Sequence, residues 1–203
     1  MAWLDLPLPD AEMRYHAHWL PPTRADALLA ALRSEIAWQT HRIRLFGRSH
    51  DSPRLSCWIG DADAVYTYSG TRFAPQPWPP LLAALRTRVE EAAETHFNSV
   101  LANLYRNGRD CMGWHADDEP ELGPRPVIAS LSLGAERRFA FKRKQTGARS
   151  QILPLAHGSL LIMAGDTQQN YRHALPRSTR VSEPRINLTF RWVGTGARGD
   201  RAR

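Results

Sequence analysis

A chain of 203 residues with 42% hydrophobic residues can bury the core of one ordinary globular domain. The formal net charge of +7 favours a polyanionic partner such as nucleic acid. The sequence has no run of about 18 apolar residues, which excludes a membrane-spanning helix, and no basic region followed by a long apolar run, so we expect no secretory signal.

Two cysteines are too few for a disulfide framework. We expect both Cys57 and Cys111 to be reduced thiols in a soluble, intracellular and cytoplasmic protein, associated with the nucleoid if the source is bacterial.

The first half of the chain predicts a short strand and two helices. The strand is expected over Glu12 to Trp19. Leucines and alanines at helical spacing predict a helix over Ala25 to Trp38, with Thr23 and Asp26 as a capping box. Two prolines followed by an apolar stripe predict a second helix over Leu81 to Phe97. Both helices are expected to support a sheet.

Between the helices, His41 to Phe46 and Arg54 to Ile59 flank a turn-rich segment and predict a hairpin with Phe46 near its tip. An exposed aromatic ring can enter a base stack while nearby cations hold phosphates, a role for which Arg48 and Arg54 are candidates. The alternative is a phenylalanine that packs back on its own hairpin.

Tyr66 and Tyr68 share one face of a short predicted strand after this hairpin. Aromatic side chains in such a position could stack on a base extruded from a nucleic acid. The alternative places both tyrosines in the core or at its rim.

After the second helix the chain becomes rich in short strands punctuated by glycine and proline, which predicts an α+β fold with a sandwich or jelly-roll core. The predicted strands are Ser99 to Tyr105, Val127 to Leu133, Arg138 to Lys142, Gln151 to Pro154, Ser159 to Ala164, and Arg185 to Val193. We expect one domain over residues 1–203, with a flexible basic tail at 194–203.

The segment Asn103 to Glu119, NLYRNGRDCMGWHADDE, sets His115 and Asp117 two residues apart after a predicted strand. On an extended backbone such residues point the same way, so an imidazole and a carboxylate converge. They are two of the three ligands of a facial 2-His-1-carboxylate iron site, and His173 is the best placed third histidine. The alternatives are solvated loop residues or a structural zinc site, which normally needs four thiolate-rich ligands.

The segment Arg185 to Arg191, RINLTFR, alternates polar and apolar residues. Arg185, Asn187, Thr189 and Arg191 therefore share one strand face. Because a guanidinium grips a carboxylate bidentately, this face is a candidate clamp for a carboxylate ligand. The alternative is an exposed edge strand with its arginines in water.

Taken in order, the motifs N-x-Y, H-x-D, a distal His and R-x-N-x-x-x-R resemble the AlkB family of iron(II)- and 2-oxoglutarate-dependent nucleic-acid dealkylases. The order F-G-R, P-R and Y-T-Y-S-G is similar to the members that repair double-stranded DNA, where an aromatic finger fills the gap left by an extruded base. The resemblance implies a double-stranded β-helix core at about 98–193, two supporting helices, and a nucleotide-recognition lid at about 41–75.

The resemblance also implies iron(II) on His115, Asp117 and His173, with 2-oxoglutarate and dioxygen as co-substrates and no further catalytic base. The residues implied to bind 2-oxoglutarate are Asn103, Tyr105, Arg185, Asn187 and Arg191. Arg185, assisted by Tyr105 and Asn187, is expected to meet the distal carboxylate, with Asn103 and Arg191 nearer the chelating end.

The resemblance places Glu119 opposite the damaged base, where it would accept a hydrogen bond from an exocyclic amino group; a solvated loop acid is the alternative. The implied substrate-contacting residues are Phe46, Arg48, Arg54, Tyr66, Tyr68 and Glu119. The expected activity is oxidative demethylation of 1-methyladenine or 3-methylcytosine in DNA by a monomer, releasing formaldehyde, succinate and carbon dioxide. An RNA or tRNA dealkylase or hydroxylase with the same iron chemistry is the alternative.

Overall fold

Two antiparallel sheets face each other across a buried interior in the computed structural model, which describes residues 2–45, 48–68, 71–145 and 147–194. The strands are β1 (Leu4–Asp5), β2 (Glu12–His16), β3 (Arg42–Leu45), β4 (Arg48–Asp51), β5 (Leu55–Gly60), β6 (Tyr66–Tyr68), β7 (Thr71–Phe73), β8 (Ser99–Tyr105), β9 (Met112–His115), β10 (Ile128–Gly134), β11 (Arg137–Arg143), β12 (Gln151–Leu155), β13 (Ser159–Ala164), β14 (Tyr171–Leu175) and β15 (Arg185–Arg191). The helices are α1 (Pro22–Glu35), α2 (Pro80–Ala93) and the short α3 (Thr167–Asn170).

The larger sheet has seven strands in the order β1-β2-β13-β10-β15-β8-β5, and the smaller has four in the order β12-β11-β14-β9. Every pairing within the two sheets is antiparallel. Strand β15 lies near the centre of the larger sheet, between β10 and β8. The predicted α+β fold with a jelly-roll core is confirmed, and the interpretation of β15 as an exposed edge strand is excluded.

The apolar face of β15 packs against helices α1 and α2. Ile186, Leu188 and Phe190 are fully buried in one cluster with Leu32 of α1 and Leu85 of α2. Burying a side chain of this size stabilises the fold by roughly 1.5–3 kcal/mol. The helices therefore cover the outer face of the larger sheet, as predicted, and leave the opposite face for the interior. No helix among the described residues is long and apolar enough to cross a membrane.

A second apolar cluster fills one end of the space between the sheets. Leu161 and Met163 of β13 meet Phe139 and Phe141 of β11 and Leu155 of β12 in this cluster. The other end of the same space is lined by polar side chains. The polar end is where a ligand can enter without disrupting the packed core.

Local details at the helix ends differ from the sequence prediction. Helix α1 begins at Pro22, its N-cap residue Pro21 makes no side-chain cap hydrogen bond, and Thr23 already lies in the first turn. The predicted capping box is therefore wrong, because proline itself presets the backbone angle of the first turn. Helix α2 ends at Ala93, four residues before the predicted end, since Glu94 takes a left-handed conformation with φ of 56°.

The predicted hairpin also pairs differently. Strand β3 pairs with β4, which is formed by the segment expected to be a turn, and β5 pairs instead with β8 of the larger sheet. The strand over Arg54 to Ile59 exists, but its partner lies more than 40 residues away along the chain. Strand β5 is apolar, and it becomes buried when it extends the larger sheet. The turn residues near β5 do not reveal this preference for β8.

Gly134, at the end of β10, has φ of 88°, and a Cβ atom there would collide with the Pro184 carbonyl oxygen. Gly134→Ala is expected to lower the free energy of unfolding by about 2–4 kcal/mol. Alanine is strained in this left-handed backbone conformation, and its Cβ atom would also collide with the carbonyl oxygen. Urea denaturation measures this difference. Gly113→Ala is the matched control, since its Cβ would meet open space. Equal denaturation midpoints for the two variants would contradict the expectation.

Candidate active site

A cavity of about 80 Å³ lies at the polar end of the space between the two sheets. One water needs only about 10–15 Å³ on this measure, so the cavity can hold a small organic ligand or several waters. The floor comes from β5, β8 and β15 of the larger sheet, and the opposite wall from β9 and β14 of the smaller sheet. Residues from distant parts of the chain therefore meet around one enclosed volume.

His115, Asp117 and His173 converge at one wall of this cavity. One potential ligand atom from each lies within 4.8 Å of the others, and the two imidazole centroids are 4.2 Å apart. His115 ends β9 and His173 sits opposite it in β14, so the pairing of these two strands sets their separation. Asp117 follows two residues after β9 and is buried. Two nitrogens and one carboxylate oxygen on one side form the donor set of a facial iron(II) site.

The protonation of these three groups suits a metal ion. Nδ1 of His115 lies 2.9 Å from the Gly113 carbonyl oxygen, which can only accept, so this nitrogen carries the proton and Nε2 keeps its lone pair. Burial, reinforced by the neighbouring His115, lowers the pKa of His173 to about 3. Burial also lowers the pKa of His115. Both imidazoles are therefore neutral and able to bind a metal at neutral pH.

Asp117 is held by two contacts that orient its carboxylate. Burial alone would raise the pKa of Asp117, but the charge of Arg191, assisted by the two imidazoles once these are protonated in acid, outweighs it and holds this pKa at about 2. Nη2 of Arg191 lies 3.2 Å from Asp117 Oδ2, and both side chains are almost fully buried. The Asp117 backbone N–H donates to Oε1 of Gln168 in α3 at 3.0 Å. The carboxylate is thus ionised and fixed in place.

The polar face of β15 forms the floor of the cavity. All four residues of that face are buried and line it: Arg185, Asn187, Thr189 and Arg191. Arg185 is 2% exposed and donates to Ser132 Oγ at 2.9 Å, while its buried Nε has no hydrogen-bond partner among the described residues. Burial lowers the pKa of Arg185 only to about 10, so it stays cationic at neutral pH. A buried cation with an unused donor fits an anionic ligand.

Asn187 contributes differently from the expectation that it assists Arg185. Its amide nitrogen already donates to Ser130 Oγ at 2.8 Å and to the Leu131 carbonyl at 3.1 Å, and its oxygen accepts from Thr189 at 3.0 Å. Asn187 therefore ties β15 to β10 and orients this face. Tyr105, opposite Arg185 in β8, lies beneath the guanidinium with 5.4 Å between the ring centroid and Cζ.

Arg54 does not lie where a phosphate-binding side chain is expected. It is 6% exposed, lines the cavity, and donates from Nε to Asn103 Oδ1 at 2.8 Å. The prediction of a surface role for Arg54 is therefore wrong, because the residue precedes β5 at the inner edge of the larger sheet. Arg54 instead fixes the amide of Asn103, which sits opposite Asn187.

The other predicted substrate contacts are less well defined. Phe46 lies outside the described residues, and so do the side chains of Arg48, Tyr66 and Tyr68. Glu119 is partly buried at the start of a 3-10 turn, Pro120–Leu122, and is not part of the cavity wall. The basic tail lies outside the described residues beyond Gly194.

Several cavity residues were missed by the sequence analysis. Trp58 and Leu101 line the cavity from neighbouring strands, and the Phe139 ring lies 5.2 Å from that of His173. The signal that could have found them is the alternation of inward and outward residues along β5, β8 and β11, which predicts that these three side chains point inward. His41, whose pKa burial lowers, lines the cavity just before β3, and no local pattern marks it.

Comparisons with known proteins agree with this geometry. A family model described as the 2OG-Fe(II) oxygenase superfamily matches residues 12–191. Alpha-ketoglutarate-dependent dioxygenase alkB homolog 3 of Homo sapiens is 42% identical over 184 residues, which cover 86% of this chain and 64% of that protein. DNA oxidative demethylase ALKBH2 of Homo sapiens is 42% identical over 179 residues, which cover 83% of this chain and 69% of that protein.

A solved structure titled "The structure of OsALKBH1" resembles this chain with a TM-score of 0.65 at 16% identity, covering 94% of this chain and 100% of that one. At this identity the likeness concerns the fold alone. The chain spans less than two thirds of the length of the alkB homolog 3 proteins that it matches.

Proposed function

The chain belongs to the AlkB family of 2-oxoglutarate- and iron(II)-dependent dioxygenases, and we propose that it demethylates N-alkylated bases in DNA by oxidation. The observation that carries this proposal is the meeting of the His115, Asp117 and His173 donor atoms with the buried cation of Arg185 around one cavity. The name of the relative ALKBH2, a DNA oxidative demethylase, and the net charge of +7 support DNA as the substrate.

In this proposal His115, Asp117 and His173 hold iron(II). When bound, iron with 2-oxoglutarate and dioxygen supplies the oxidising power that hydroxylates a methyl group on a base nitrogen, which then leaves as formaldehyde. Arg191 keeps Asp117 ionised and in position through its buried ion pair. The neutral imidazoles offer their lone pairs without a competing proton.

Arg185 is the proposed partner of the distal carboxylate of 2-oxoglutarate. Its buried guanidinium has an Nε donor with no hydrogen-bond partner in the described part of the chain, and Tyr105 lies beside it. Because charge-assisted hydrogen bonds are stronger away from water, this contact is worth more in the cavity than at the surface. Asn103, oriented by Arg54, and Arg191 lie on the same floor and would contact the other end of the molecule.

Apolar side chains around the cavity would exclude water from the reacting groups. Trp58, Leu101 and Phe139 line the cavity together with the polar residues. A dry site strengthens the electrostatic contacts inside it and protects reactive intermediates from side reactions. On the substrate side, we keep Glu119 as the proposed acceptor for an exocyclic amino group, Phe46 as the proposed finger, and Arg48, Tyr66 and Tyr68 as proposed contacts.

The proposal predicts that the protein releases formaldehyde from a 1-methyladenine oligodeoxynucleotide when iron(II), 2-oxoglutarate and ascorbate are supplied. His115→Ala is expected to reduce this release at least about 1000-fold, because it removes one of three metal ligands. Single-stranded and duplex forms of the same oligodeoxynucleotide establish strand preference, and an oligoribonucleotide tests the RNA alternative. Release from the oligoribonucleotide alone would refute DNA as the substrate, and equal release by His115→Ala would refute the metal site.

A further inference from the structure

Trp114 is one residue before His115 but points away from the cavity. It is 42% exposed, whereas His115, the next residue of β9, lines the cavity. Successive residues of a strand face opposite sides, so Trp114 lies on the outer face of the smaller sheet. An exposed tryptophan on a strand that borders the cavity differs from the buried aromatic residues of the core, such as Phe139 and Phe141.

A cation accompanies this ring. Nζ of Lys142 lies 4.5 Å from the Trp114 ring centroid. Lys142 of β11 is paired in register with Arg172 of β14, and Arg172 is exposed. Arg138, two outward positions earlier on β11, is exposed as well. The outer face of the smaller sheet thus places Lys142 against the exposed indole, with Arg172 opposite Lys142 and Arg138 further along β11.

The four described strands of this sheet carry no acidic side chain. The sequences of its four strands, MGWH, YRHAL, RRFAFKR and QILPL, contain no aspartate or glutamate. Ala140 and Ala174, which lie between these cations along β11 and β14, are paired in register and are both buried. Asp118, just beyond β9, is already engaged by Lys144, with 2.6 Å between the charged atoms. The charged side chains of these strands are therefore cationic, and one of them lies against an exposed aromatic ring.

We propose that Trp114 and Lys142 form a stacking platform for an unpaired nucleotide that neighbours the target base on the same strand. This inference rests on the proposed function, since it requires a nucleic-acid substrate. A base has a π-face that stacks on an indole whatever its identity, and its phosphate complements the cations beside the ring. A peptide or a membrane would need a larger apolar surface than one tryptophan, so charge complementarity and the single flat ring select a nucleic-acid strand.

The position of the platform suits this occupant. Among the described residues, β9 is an edge strand of the smaller sheet, and its Met112 and His115 side chains line the cavity. A nucleic-acid strand that places one base in the cavity passes this edge of the sheet. Its next nucleotide then lies toward the outer face of the smaller sheet. Stacking on Trp114 would hold that nucleotide out of the cavity, and Lys142 and Arg172 would hold the adjacent phosphates.

The test measures binding of a fluorescein-labelled, single-stranded 1-methyladenine oligodeoxynucleotide to the iron(II)- and 2-oxoglutarate-loaded protein without oxygen. Trp114→Ala is expected to weaken binding about tenfold, from the usual value of base–aromatic stacking, while Trp114→Phe retains most of the affinity. Lys142→Gln is expected to reduce the dependence of log K on log salt by about 0.7. Trp192→Ala is the matched control, because Trp192 is 55% exposed but is not part of this face.

An abasic scan makes the test specific to stacking. Oligodeoxynucleotides that lack one base on either side of the 1-methyladenine are compared on wild type and Trp114→Ala. Where the stacked base is missing, the two proteins are expected to bind equally, as in a double-mutant cycle. An equal loss of affinity on every oligodeoxynucleotide, or losses alike for Trp114→Ala and Trp192→Ala, would overturn the platform. If Trp114→Ala does not fold, the salt dependence of Lys142→Gln and the abasic scan on the wild type test the platform instead.

Failure of the platform and failure of the proposed function give different results. Succinate release without oligodeoxynucleotide is expected to be the same in Trp114→Ala and wild type, since the platform lies outside the cavity. A position-specific abasic effect without formaldehyde release supports the platform and contradicts the demethylase. Formaldehyde release with no abasic effect and no loss in Trp114→Ala overturns the platform alone.

Discussion

Asp117→Ala is expected to lower the free energy of unfolding of the metal-free protein by about 3–5 kcal/mol, in addition to abolishing activity. The reason is the buried ion pair with Arg191, whose charged atoms lie 3.2 Å apart with both side chains almost fully buried. Removing the carboxylate breaks this pair and takes the Asp117 charge away from the buried guanidinium. Urea denaturation of the metal-free variants measures the effect.

Asp118→Ala is the matched control for this stability prediction. Asp118 is the next residue and also forms an ion pair, with Lys144, but its side chain is 53% exposed. An exposed pair contributes only about 0–1 kcal/mol, so the control is expected to unfold close to the wild type. The double variant Asp117→Ala/Arg191→Leu is expected to recover part of the lost stability, because it removes both members of the buried pair instead of one. Identical denaturation midpoints for Asp117→Ala and Asp118→Ala would show that the buried ion pair has no structural role.

Arg185→Leu is expected to weaken 2-oxoglutarate binding about 100-fold, which corresponds to about 2.7 kcal/mol. The variant removes the buried cation, whose Nε has no hydrogen-bond partner among the described residues. Arg185→Lys keeps the charge but loses the planar, bidentate donor pair, so an intermediate loss is expected. Isothermal titration of 2-oxoglutarate into the iron(II)-loaded protein under nitrogen measures both variants.

Protein stability separates a lost ligand contact from a damaged fold in this experiment. A buried cation replaced by an apolar side chain often leaves the fold as stable as before, so Arg185→Leu is expected to retain the wild-type midpoint in urea. Arg33→Leu, in the last turn of α1, replaces an exposed arginine and is expected to leave 2-oxoglutarate affinity unchanged. If Arg185→Leu bound 2-oxoglutarate within about threefold of the wild type, Arg185 would not be the carboxylate partner.

The sequence identified the elements whose patterns are local. The bounds predicted for Ser99–Tyr105 and Ser159–Ala164 match β8 and β13, since apolar strands bounded by turn residues mark their own ends. The alternation within Arg185–Arg191 correctly separated a polar from an apolar face. The spacing of His115 and Asp117, with the later His173, selected three side chains that the fold brings together.

Pairing between strands could not be read from local patterns. The chain between α1 and α2 contains turn residues at several places, and the hairpin was assigned the wrong second strand because β5 gains more by joining β8 in the buried sheet. Because β5 pairs with β8, Arg54 lies at the cavity and not at the surface as expected, and it donates a hydrogen bond to Asn103. The surroundings of a residue beside a strand depend on which other strand pairs with that strand. The position of the residue in the sequence does not specify this pairing.

By itself, the sequence determined the fold class, the order of the motifs and the chemical types of the candidate ligands, because these depend on periodicity and residue identity. Only the tertiary structure decided that β15 lies inside the sheet rather than at an edge, so that its two arginines face a cavity instead of water. It alone decided that Arg191 pairs with Asp117 and that Trp114 stands exposed beside Lys142. Burial and charge pairing arise from contacts between residues far apart in the chain, and such contacts have no local pattern.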